Sequence, residues 1–260
     1  MGQSRQAGSR NHAQLEQDGH VTVTVLQLSD IHFTKDAGGT IGGHEPDSRL
    51  ATVLAAWIAS DEVADLVLLS GDNTDTGSPE AYGRLAISLG VLGTSIIAIP
   101  GNHDNPDENA KAFGGVTTAE LGGWRIVGVD STRPHEVHGT VDVSALTEWL
   151  DALDDRPTMV VIHHPPISRS TNEYFRLKGA PQLLEALAVR PHVRAILSGH
   201  LHDAFDFETA DGLALLGCPS TLMAIGHDGD EYTVGVRSTT GARVLHLEDD
   251  GTFSSTLLVA

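Results

Sequence analysis

Five apolar runs in this chain end in a polar cluster: "VLQLSDIH", "LVLLSGD", "IIAIPGNHD", "MVVIHHPP" and "AILSGHLH". Each run has the length and composition of a strand. Between them lie segments with helical spacing: "DSRLATVLAAWIAS", "SPEAYGRLAISLG", "SALTEWLDAL" and "APQLLEALAV". In the second of these, Ser78 can cap the first free N–H groups and Pro79 needs no donor there. From about Ala204 to Ala260 the pattern changes to short strands parted by Gly and Asp turns, among them "AFDFET", "LALLG", "YTVGVRS", "ARVLHLE" and "FSSTLLV". Alternating βα units that lead into a run of strands predict an α/β fold of two packed mixed sheets with helices outside, a four-layer α/β/β/α sandwich. In such folds a ligand sits beyond the carboxyl ends of the strands, so the five polar clusters mark the place to look.

The chain has 260 residues, 40% of them hydrophobic, enough to bury a full core, and a single domain over 21–260 is expected. Residues 1–20, "MGQSRQAGSRNHAQLEQDGH", are polar and aperiodic and read as a tail that pairs with nothing. A formal charge of −19 repels polyanions, which excludes long nucleic acid while leaving room for a small anion neutralised by bound metal. The single cysteine, Cys218, has no partner for an internal disulfide and fits a reducing cytoplasm. No run reaches the ~18 apolar residues of a membrane span, and no apolar signal core opens the sequence.

Taken singly, Asp or Asn after a strand makes a side-chain turn, and a histidine there is an ordinary loop residue. Asp30/His32 and His200/His202 are each two apart, so in extended chain both members of a pair project to one side and can share an ion. Nitrogen and hard oxygen donors without thiolate suit Mn, Fe or Zn. Asp30, His32, Asp72, Asn102, His163, His200 and His202 are too many for one tetrahedral ion and suffice for two if a carboxylate bridges.

In this order and at these strand ends, "DIH", "GDNTD", "GNHD", "HHPP" and "GHLH" resemble the signature of the calcineurin-like metallophosphoesterases, most of all the bacterial class III cyclic nucleotide phosphodiesterases of the CpdA type. The likeness runs from about Val23 to the end of the chain. It implies a binuclear centre that hydrolyses a phosphodiester, 3′,5′-cyclic AMP to 5′-AMP, by attack of a metal-bridging hydroxide. Carried over, it places Asp30, His32 and His202 on one ion, with Asp72 bridging to a second held by Asn102, His163 and His200. His163 is preferred to His164 because the family's ligand stands two residues before the proline, here Pro165. Asn102, His103 and His202 would also meet the substrate phosphate. Asn73 and Thr74 depart from the small or apolar residues usual after the bridging aspartate, a change expected to reach the surroundings of the ligands and not the ligands themselves.

His103 has no ligand slot in that pattern and is expected to donate to the leaving alkoxide or the phosphate, with Asp104 orienting and charging its ring. Other expectations are smaller. The glycine-rich loop Thr34 to Asp47 could cover the mouth; His44, His135 and His138 are surface loop residues. Arg169, Tyr174, Phe175 and Arg176 could stack a base and pair a phosphate. His192, His227 and His246 are structural. Alternative readings keep the metal site for a 2′,3′-cyclic nucleotide, a glycerophosphodiester or a phosphomonoester, or make the chain a non-catalytic scaffold; a homodimer is left open.

Overall fold

A computed structural model of the chain describes residues 21–115, 117–235 and 239–260. The segment 1–20, expected to pair with nothing, lies outside them. The first half contains β1 (Thr22–Leu28), α1 (Pro46–Ala59), β2 (Leu66–Ser70), α2 (Pro79–Leu89), β3 (Ser95–Ile99), α3 (Pro106–Phe113), β4 (Thr118–Leu121) and β5 (Trp124–Val129). Then follow β6 (Gly139–Thr140), α4 (Val143–Asp151), β7 (Thr158–Ile162), β8 (Leu177–Lys178), α5 (Ala180–Ala188) and β9 (Val193–Ser198). The chain closes with β10 (Phe205–Glu208), β11 (Ala214–Gly217), β12 (Ile225–Asp228), β13 (Glu231–Val234), β14 (Gly241–Glu248) and β15 (Phe253–Val259).

The larger strands form two mixed sheets, ordered β15-β14-β1-β2-β3 and β10-β11-β9-β7-β5-β4. In the first, β1, β2 and β3 run parallel; in the second, β5, β7, β9 and β11 do. Alternation along each strand sorts the apolar side chains into layers. Val23, Val25, Leu66, Leu68, Ile97 and Ile99 face Trp124, Ile126, Met159, Val161, Ala195 and Leu197 across the gap between the sheets. Their neighbours Leu26, Leu28, Val67 and Leu69 turn the other way, onto Leu50, Val53 and Trp57 of α1 and Leu85 of α2. On the far side Val160, Ile162 and Ile196 pack on Leu146 and Leu150 of α4 and Leu183 and Leu187 of α5. Three apolar layers therefore hold four layers of structure, and at roughly 1.5–3 kcal/mol per buried aliphatic side chain they are the main source of stability.

Local signals hold where they were strong. Ser78 accepts from the Ala81 N–H at 3.3 Å, with Pro79 at the first helical position. The helix α3, not anticipated, carries the same kind of cap: Asn105 accepts from the Asp107 and Glu108 N–H groups before Pro106. Its eight residues include only a few apolar ones, so it leaves little periodic trace. Cys218 follows β11 fully buried, its Sγ 3.4 Å from the Gln27 carbonyl, and burial pushes the thiol up to about 12. Gln27 ties the sheets together near the same end, donating to Ser70 Oγ at 3.0 Å and to the Ser198 carbonyl at 3.3 Å.

Candidate metal centre

The loops leaving β1 and β2 run side by side. Asp30 N–H donates to the Gly71 carbonyl at 3.0 Å, His32 N–H to Asp72 at 2.9 Å and Phe33 N–H to Asn73 at 3.1 Å. Among the described residues seven non-glycine residues have positive φ, and five of them are Asp30, His32, Asp72, His200 and His202, at 50° to 68°. Left-handed backbone at such residues costs roughly 1–3 kcal/mol each and persists where the surroundings fix it, which is characteristic of functional loops. This corrects the expectation of extended pairs. Asp30 and His32 do reach one cluster, through left-handed turns, but His200 and His202 separate, each into its own group.

The first group is Asp30, His32, Asp72 and His202. His202 Nε2 lies 3.4 Å from Asp30 Oδ1 and 3.1 Å from His32 Nε2, and His32 Nε2 lies 3.6 Å from Asp72 Oδ2. On the other side of the same Asp72 oxygen, His163 Nε2 stands at 3.4 Å, and the His163 and His200 ring centroids are 5.1 Å apart. Carbonyls select the tautomers. His163 Nδ1–H donates to Ser70 at 2.8 Å and His202 Nδ1–H to Met223 at 2.9 Å, so in the neutral form of each ring the Nε2 lone pair faces the centre. His200 donates from Nε2 to the Tyr174 carbonyl at 3.2 Å, which leaves Nδ1.

These residues fit cations. The Asn102 Oδ1 and His163 Nε2 atoms are buried without a hydrogen-bond partner, and the facing Nε2 atoms of His32 and His202 need a proton or a cation between them. The protonation pattern has the same cause. Burial works against charge on His163, yet the Asp72 carboxylate raises it to about 9, and in return His163 and His32 hold the Asp72 carboxyl well below the usual range despite its burial. Burial depresses His202 to about 4 and His200 well below its ordinary value. Two glycines make the room: a Cβ on Gly101 would stand 2.2 Å from Asp72 Oδ1, and Gly71, at φ +97°, would place one 2.4 Å from His163 Nδ1.

His164 lies near His163 and His200 but has both nitrogens occupied. Its Nδ1 accepts from Ser131 Oγ–H at 2.7 Å and its Nε2–H donates to the Val137 carbonyl at 3.1 Å. Burial lowers it to about 3, so it is a neutral ring packed 4.4 Å from that of His200. Of the two histidines only His163 keeps a ring nitrogen without a hydrogen-bond partner, open to a cation.

The geometry around His103 corrects one role. The Asp104 carboxylate does not orient the His103 ring. Its Oδ2 accepts from Gly101 N–H and Asn73 N–H, both at 2.9 Å, and its Oδ1 from Thr74 N–H at 2.9 Å, Thr74 Oγ1–H at 3.0 Å and Tyr82 OH at 2.7 Å. It is thus a clamp between the loops after β2 and β3. The His103 ring is held by Asp75: Nδ1–H donates to the Asp75 carbonyl at 3.0 Å, with the Asp75 carboxylate 3.6 Å away, while His103 N–H donates to Asp72 Oδ1 at 3.0 Å. Asp75 lies three residues after Asp72 in "GDNTD", a spacing visible in the sequence. Asn73 and Thr74 serve the clamp, and Asn73 Nδ2 also donates to the Ile99 carbonyl and Asn109 Oδ1 at 3.0 Å.

The remaining candidates stay outside these groups. His44 Nδ1 is 3.1 Å from Arg49, and His138 pairs with Glu136. His192 faces Asp155, His227 meets the Leu201 carbonyl and His246 meets Glu62. Arg84 fastens the start of the glycine-rich loop through the Thr34 and Lys35 carbonyls and Asp47. The arginines expected to pair a phosphate are already paired, Arg169 with Asp203 at 3.0 Å and Arg176 with Glu173 at 2.6 Å.

A four-layer sandwich with imidazole, carboxylate and carboxamide donors gathered at five strand ends defines a metal-dependent phosphoesterase. The chain belongs to the calcineurin-like phosphoesterase family, whose model matches residues 23–204. It is 35% identical over 245 residues to a probable cyclic nucleotide phosphodiesterase of Synechococcus sp., covering 90% of this chain and 91% of that one. To a 3′,5′-cyclic adenosine monophosphate phosphodiesterase of Pseudomonas aeruginosa it is 29% identical, over 88% of this chain and 87% of the relative. A dimetal phosphatase from Danio rerio has the same fold, with a TM-score of 0.61 at 11% identity over 91% of this chain and 98% of that one. The protein is a hydrolase, and among its described residues no helix is long and apolar enough to cross a membrane.

Proposed function

We propose that the protein hydrolyses a 3′,5′-cyclic nucleotide, cyclic AMP first among them, to the 5′-monophosphate at a two-metal centre. One observation carries the reading: Asp72 Oδ2 lies 3.6 Å from His32 Nε2, which groups with Asp30 and His202, and 3.4 Å from His163 Nε2, which groups with His200. Asp30, His32 and His202 would hold one ion and Asn102, His163 and His200 the other, with Asp72 between. The donor set suits Mn, Fe or Zn. Such ions, when bound, neutralise the phosphate oxygens and activate water as the nucleophile. The substrates named for the Synechococcus and Pseudomonas relatives support a cyclic nucleotide.

The chain's own part in the chemistry concerns the leaving group. Hydrolysis breaks the bond from phosphorus to the 3′-oxygen, which departs needing a proton. As imidazolium, His103 keeps its Nδ1–H on the Asp75 carbonyl, the Asp75 carboxylate balances the charge, and the Nε2–H is free to pass to that oxygen. His103→Asn lowers kcat by about 10²–10⁴ at unchanged metal content. The substrate reading is tested with Mn²⁺-loaded protein against cyclic AMP, cyclic GMP, a 2′,3′-cyclic nucleotide and an aryl phosphodiester, with the product identified chromatographically. Turnover confined to the last two would refute it.

A further inference from the structure

We infer that the ring of Tyr174 is the stacking surface for the substrate's nucleobase, an inference that rests on the cyclic-nucleotide reading above. Tyr174 belongs to the short 3₁₀ turn Glu173–Phe175, and its carbonyl is the group that anchors His200. Its ring lies within 7° of parallel to the His200 imidazole, centroids 6.0 Å apart, and 37% of the residue is open to solvent. An aromatic side chain is therefore partly open to water beside a candidate ligand of the centre.

The ring is held in place beforehand. Asn172 accepts from Tyr174 N–H at 3.0 Å and donates to the Asp230 carbonyl at 3.1 Å; Thr171 N–H donates to Gly229 at 3.0 Å. Behind it the buried Phe175 ring, 5.1 Å away, meets His227 and Tyr232 edge on. A platform fixed in this way adds affinity with little ordering cost on binding. The same loop offers no unpaired cation, since Arg169 and Arg176 are engaged by Asp203 and Glu173. It suits an uncharged planar group, a base, and not a second phosphate. Because every base has a π-face, stacking here favours nucleotides over base-free esters without separating adenine from guanine.

The test compares wild type, Tyr174→Leu and Tyr174→Phe, loaded with Mn²⁺, on cyclic AMP, cyclic GMP and ribose 3′,5′-cyclic phosphate lacking a base. Tyr174→Leu should raise KM for both nucleotides roughly ten- to a hundredfold, with kcat little changed. Its KM for the base-free ester should match wild type, and Tyr174→Phe should behave as wild type throughout. The carbonyl that anchors His200 survives both changes, so metal content by elemental analysis should be unaltered. An equal rise in KM for all three substrates, or loss of bound metal, would overturn the inference by making the ring a support for His200. Wild-type turnover of an aryl diester but of neither cyclic nucleotide would overturn the substrate reading itself, and the inference with it.

Discussion

Replacing Asp104 by Asn separates two roles that its place beside His103 confounds. The carboxylate accepts from two backbone N–H groups on Oδ2 and from three donors on Oδ1, all buried or nearly so. An amide keeps one oxygen. In its less damaging orientation the oxygen stays with Thr74 and Tyr82, and the NH₂ group is set against the N–H groups of Gly101 and Asn73. Two buried donors left unpaired cost roughly 1–3 kcal/mol each, so Asp104→Asn should lose about 2–6 kcal/mol. Tyr82→Phe removes one donor and the acceptor of Asn105 N–H, at 3.1 Å, and should lose about 1–2 kcal/mol. The assay is urea unfolding of chelated protein at pH 7, read as a shift in midpoint at constant slope. Asp75→Asn is the control, with a small change in stability and a large fall in kcat. If Asp104→Asn unfolded within 1 kcal/mol of wild type while its kcat fell about a hundredfold, the clamp would be wrong and Asp104 would act on His103 after all.

Other expectations follow from single contacts. Cys218, with its thiol pushed up to about 12 by burial, should resist maleimide at pH 8 in the folded protein and react on unfolding. His164 is held neutral with a folded pKa of about 3 against 6.5 unfolded, so its contribution is full above pH 6.5 and is lost as the pH falls, by about 1.4 kcal/mol per unit, because only the unfolded chain takes up the proton. His164→Asn should therefore flatten the acid limb of chelated protein between pH 6.5 and 5, and an unaltered limb would refute this. Mn²⁺ at a hundred times its Kd should stabilise the chelated protein by about 2.7 kcal/mol for each ion bound, seen as a rise in Tm that Asp72→Asn largely removes. Gly101→Ala should abolish that rise, since the added Cβ would stand 2.2 Å from Asp72 Oδ1.

Much of this molecule was legible in the sequence because apolar runs fix the strands and the polar residues directly after them have only the strand ends to occupy. That reasoning located all seven candidate ligands, and "HHPP" already favoured His163. It could not tell that His164 spends both nitrogens on Ser131 and Val137, or that Asp75 and not Asp104 holds His103. Each of those depends on the sign of φ at one residue or on a partner far along the chain. His32 meets His202 across 170 positions, and Asn73 meets Asp104 across 31. A sequence determines which groups arrive at the end of a strand. Which way each one turns there is decided by the carbonyls, rings and carboxylates that the other strands deliver, and these come together only in the packed tertiary structure.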